Sequence, residues 1–198
     1  MPKPPALPDL LRAHGAWILL VGSIAAGALG ADPELLVPAL MAGTGHVGAF
    51  QALAAGLRPG RGTLVIRGTL LALAAPALAV ALGASTTFLL FAASALPAAG
   101  LCVLLARRFG ALSLPVIATG CLAIALAAAT VACAGGVEPA RAALLPLVLT
   151  PFFAWRSHAA GRRILDGEAG TKQALRSLGL REAGYAALWS LAVGFLGA

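Results

Sequence analysis

The run "LSLPVIATGCLAIALAAATVACAG" (Leu112–Gly135) contains no charged side chain from end to end. A helix needs about 20 such residues to cross a hydrocarbon layer of ~30 Å. This run is long enough, and its composition suits lipid as a solvent. It predicts a membrane-spanning helix.

The same signal extends outward in both directions. Hydrophobic residues make up 60% of the 198 positions and charged residues only 11%, which leaves no polar coat for a soluble domain of this size. Mean hydropathy is +0.94. About seven apolar spans are expected: 14–31, 33–57, a third ending near Gly83, 86–106, 112–135, 142–155 and 180–198. The expected fold is all-α, a polytopic transmembrane helical bundle forming one domain over residues 1–198. Residues 1–13 read as a cytoplasmic leader, and 156–179 as a cytoplasmic polar segment between the last two spans. The first span reads as retained, because it is long for the apolar part of a signal peptide and further spans follow at once.

The distribution of charge sets the expected orientation. With the N-terminus cytoplasmic, 13 of the 14 Lys and Arg residues fall on the inner side and only Arg141 lies outside. The C-terminus is then outside. The net charge of +7 sits in short clusters between apolar runs, which fits a membrane protein and not a nucleic-acid partner. The expected location is the bacterial cytoplasmic (inner) membrane, crossed several times.

Prolines recur within the spans, and Pro76 and Pro97 fall near mid-span in adjacent helices. Small residues recur four apart in the second span (Ala39 and Gly43; Gly45 and Ala49; Gly48, Ala52 and Gly56), a pattern that allows close helix approach. No internal repeat stands out. The three cysteines (Cys102, Cys121, Cys133) lie in apolar runs without CxxC spacing and read as buried small side chains.

His46 is the ionisable residue nearest mid-membrane and is therefore a functional candidate. Thr44 and Gln51 align on the opposite helix face, so either both faces meet protein or the glycines distort the helix. The inner ends are richer in chemistry. Arg12, His14 and Trp17 mark the start of the first span, and Arg58 and Arg61 lie in the loop after the second. "WRSHAAGRR" (155–163) supplies Arg156, His158, Arg162 and Arg163. Guanidinium groups offer paired donors that match phosphate oxygens, so this rim suits a phosphate-bearing ligand or an anionic headgroup. Glu182 enters the last span near the inner interface and needs a partner, with Arg156 and His14 as the candidates. Glu168 and Lys172 read as a solvated pair, and Thr171 as a helix cap.

Several motifs are absent. No DxxxD or NDxxD occurs to hold Mg²⁺ on a diphosphate, nor any GxxxxGK[ST], HExxH or GxSxG. No cofactor, metal site or catalytic residue is expected.

"RAHGAW" (12–17) ahead of an apolar span resembles the opening of the YwiC-like family of bacterial integral membrane proteins. The matching positions are His14, Gly15, Ala16 and Trp17. "LRSLGLREAGYAALWSLAVGFLGA" (175–198) resembles that family's last span, with Gly179 and Glu182 in corresponding places. In the family the residue before the histidine is often acidic or amide-bearing, whereas here it is Ala13. The resemblance implies a membrane location and a helical fold. It implies no reaction.

The leading functional expectation is an inner-membrane protein that binds an anionic lipid headgroup, a phosphate-bearing ligand or a membrane partner at its basic cytoplasmic rim. Self-association is compatible with it. One alternative is a small transporter or channel using His46 and the proline-bearing helices. Another is an enzyme acting on a lipid-borne diphosphate, which the missing acidic motifs disfavour.

Overall fold

The computed structural model describes residues 14–165 and 172–197. Seven long helices account for most of them: α1 (His14–Leu29), α2 (Leu36–Gly56), α3 (Gly62–Ala81), α4 (Phe88–Phe109), α5 (Leu114–Ala134), α6 (Leu144–Leu165) and α7 (Lys172–Gly197). A 3-10 turn at Pro33–Leu35 precedes α2, and a single helical turn at Pro139–Ala142 precedes α6. There is no strand among the described residues.

Local chemistry accounts for the helix ends. Gly110 has φ near 80°, a left-handed conformation that ends α4 cleanly. Ser113 is extended, and Pro115 occupies the first turn of α5, where its missing N–H costs no helical bond. The polar stretch after Trp155 is largely helical. α6 continues through it to Leu165, and α7 takes up the chain again at Lys172. "RSHAAGRRIL" has no proline, and its arginines and alanines favour helix. Thr171 and Glu168 lie outside the described residues.

α3, α4 and α5 are each long and apolar enough to cross a membrane, whereas the apolar part of α1, Ala16–Leu29, is shorter. α5 lies at the centre of the bundle, packed against α1, α2, α4 and α6. Its residues 124–134 are all buried, and seven of these are alanines or cysteines. Small side chains let the neighbouring backbones come close. Gly27 of α1 meets Ala128, Val131 and Ala132, and Gly135 meets Ala31. Those pairings run α1 parallel to α5. α7 also runs parallel to α1, since Gly22 faces Ser190 and Gly194 faces Ala26.

α2 and α3 also approach backbone to backbone. A Cβ on Gly48 would lie 2.6 Å from the Ala72 nitrogen and 2.7 Å from the Gly68 oxygen. One on Gly68 would lie 2.7 Å from the Ala52 nitrogen. Backbone atoms cannot move aside as side chains do, so both positions require glycine. Gly45 fits against the ring of Pro76, which lies inside the continuous helix α3. The spacing of small residues in the second span thus corresponds to a real helix–helix contact.

Candidate ligand-binding rim

The antiparallel succession of helices places the start of α1, the α2–α3 turn, the α4–α5 turn and the end of α6 at one end of the bundle. Arg58 and Arg61 lie in the first of these turns, Arg107 and Arg108 end α4, and Arg162 and Arg163 end α6. Arg141 stands at the opposite end with Asp32, Glu34 and Glu138. Arg61, Arg107, Arg108 and Arg162 are exposed, while Arg58, His158 and Arg163 are half-buried. Arg12 lies outside the described residues, as does the side chain of His14. Whether His14 meets Glu182 therefore lies outside them too.

Glu182 takes Arg156 as its partner. Arg156 donates from Nε to Oε2 and from Nη2 to Oε1, each at 2.8 Å. The two parallel bonds hold the guanidinium and carboxylate in one plane, an arrangement lysine cannot reproduce. Both side chains are mostly covered, at 22% and 17% exposure. Tyr185 sits one helical turn from Glu182 and lays its ring under Arg156, 4.3 Å from the guanidinium carbon. The Trp155 ring lies 5.3 Å from the same carbon. Phe152 stacks on Trp189 at 4.8 Å and continues the aromatic contact between α6 and α7. Arg181 lies beside the pair, its Nε 3.9 Å from Glu182 Oε1, and is half exposed.

This arrangement redistributes the roles of the candidates. Arg156 and Glu182 satisfy each other and join α6 to α7. Trp17 packs its indole edge-on against Phe50 of α2, with centroids 4.8 Å apart, so it is part of the helix packing. Beside this clamp, Arg162 on α6 and Arg181 on α7 are exposed. Arg181 was not singled out as a binding candidate from the sequence, because it reads there as one more inner-side charge. Its position four residues before Tyr185 is the signal that could have found it.

His46 lies apart from the rim. Its Nε2 is 2.8 Å from Thr130 Oγ1 on α5, and Thr130 in turn donates to the Leu126 carbonyl at 2.9 Å. Thr130 has one hydroxyl proton, and the carbonyl takes it, so His46 Nε2–H is the donor in this pair. Both residues are buried. Thr44 does not meet another helix through its hydroxyl. It is half-buried, as is Gln51 on the same face, and bonds back to the Leu40 carbonyl at 2.8 Å.

The three cysteines are free and buried. No group of metal-ligating side chains occurs among the described residues. No family model, no curated protein and no solved structure matches this chain.

Proposed function

We propose that the protein is a multi-pass component of a bacterial cytoplasmic membrane, of YwiC-like type, whose basic end faces the cytoplasm and binds an anionic headgroup or phosphate-bearing ligand. In this reading all seven helices cross the bilayer, the N-terminus is inside and the C-terminus outside. One observation carries it: cations crowd one end of a bundle whose outward faces are leucine-rich. Exposed Ile66, Leu70 and Leu73 on α3, with Leu90, Leu96 and Leu104 on α4, would be unfavourable in water and are at home in lipid. The arginines of α6 and the α2–α3 turn supply the donors that phosphate oxygens require. Neither a catalytic set nor a metal is part of the proposal.

The test combines topology with binding. Cysteine introduced at Arg107 and at Arg163, in a variant lacking the three native cysteines, is expected to be shielded from an impermeant maleimide in intact cells. It is expected to label after permeabilisation. Labelling of intact cells would overturn the orientation. In detergent, phosphatidylglycerol, inorganic phosphate and pyrophosphate are each added to the purified protein, with phosphatidylcholine as control. A rise in Tm with at least one anion, absent with phosphatidylcholine, is the expected result. No rise with any of the three would overturn the binding role.

A further inference from the structure

We infer that the outward seam between α6 and α7 is a docking site for the headgroup of an anionic phospholipid, with its phosphate held between Arg162 and Arg181. This rests on the proposed membrane orientation and deepens the binding role by naming the ligand and the place.

The two helices carry the same order of chemistry along their exposed faces. On α6 the order is Leu147, then Trp155, then His158 and Arg162. On α7 it is Phe195, then Trp189, Leu188 and Tyr185, then Arg181. Apolar side chains suit acyl chains, amphipathic rings suit the interface, and guanidinium groups suit the phosphate layer. Trp155 is 62% exposed although it is a large aromatic ring, and Tyr185 and Trp189 are exposed beside it. A partner with a graded surface, apolar at one end and anionic at the other, matches all of these positions at once. A phospholipid has that gradient.

The Arg156–Glu182 clamp sets the geometry and the charge. Its two bonds fix the register of α6 against α7, and the Trp155 and Tyr185 rings both lie beside the clamped Arg156 guanidinium. It also satisfies Glu182 internally. The carboxylate that would otherwise repel phosphate beside Arg181 is already paired, and Arg181 keeps half of its side chain exposed. Arg181 lies one residue beyond Glu182 and Arg162 six residues beyond Arg156, both toward the basic end, so the two long side chains would reach the headgroup phosphate from depths about 7 Å apart.

The experiment is lipid retention measured by native mass spectrometry. Full-length protein is extracted from vesicles of phosphatidylcholine and phosphatidylglycerol in equal amounts. Wild type is expected to keep phosphatidylglycerol in preference to phosphatidylcholine. The double variant R162Q/R181Q is expected to lose about tenfold or more of that preference, and R107Q/R108Q, which removes the same charge from the same end of the bundle, much less of it. Inorganic phosphate added in excess should not displace the lipid, because it lacks the acyl chains that meet the leucines and rings. Thermal unfolding of each variant shows whether it is folded, and Arg162→Lys with Arg181→Lys restores charge if the glutamine variant is not. A wild-type preference that survives in R162Q/R181Q but falls in R107Q/R108Q would overturn this site and leave the basic-end binding role standing. Displacement by inorganic phosphate would overturn the lipid as ligand. No preference in wild type would overturn the inference, while the Tm response to inorganic phosphate or pyrophosphate would still decide the broader role.

Discussion

α4 and α5 have the same mean hydropathy over their best window, yet 17% of that window is buried in α4 and 67% in α5. Apolarity therefore does not decide which helix goes inside. Size does. α4 presents Leu90, Leu96, Leu101 and Leu104 outward, while α5 presents alanines, cysteines and Thr130 to four neighbours. In lipid a leucine gains little by leaving hydrocarbon for protein, so association is driven by close packing and buried polar contacts. The small-residue helix becomes the centre because other helices can reach its backbone.

The contrast can be broken at several points. The largest effect is expected from filling the tight seams. Ala128→Leu in α5, or Gly48→Leu in α2, should destabilise the bundle by about 3 kcal/mol or more through overpacking, read as loss of a monodisperse peak and a lower Tm in detergent. Next comes the clamp. Arg156→Ala leaves Glu182 half-buried without its partner, and a loss of about 2 kcal/mol is expected, with Arg156→Lys recovering only part. A double-mutant cycle with Glu182→Gln measures the coupling.

Smaller effects sharpen the same comparison. The His46–Thr130 bond should show a coupling of about 1 kcal/mol in a cycle of His46→Gln and Thr130→Val. A transporter built on His46 would additionally lose flux in liposomes, whereas a purely packing role predicts altered Tm alone. The smallest change is expected on α4. Leu96→Ala, at a position facing outward, should shift stability by no more than about 0.5 kcal/mol. An effect there as large as at Ala128 would mean that α4 has a protein neighbour.

Much of this architecture was legible in the sequence, because membrane helices announce themselves by length and composition. Leu114–Ala134 falls within the uncharged run 112–135, and the four-residue spacing of Gly48 and Ala52 marked a close helix approach without naming α3 as the partner. Which helix would be central was not legible, since hydropathy ranks α4 and α5 alike. The site was partly readable. Glu182 called for a cation, and Arg156 was one of two candidates. The partner of His46 was not, because Thr130 lies 84 residues away on a helix with no periodic signal pointing toward α2. In the polar stretch after Trp155, charge marks the end of an apolar span in the sequence but says nothing about where the helix stops. Charge ends burial in lipid and leaves helix propensity untouched, so α6 runs on.

The glycine contact between α2 and α3 has a mechanical consequence. Two backbones that touch at Gly48 and Gly68 cannot slide past each other, and Pro76 seated on Gly45 blocks rotation as well. α3 packs chiefly on α2, so a displacement of α3 would have to carry along α2, the helix that holds His46 and leads into the turn with Arg58 and Arg61.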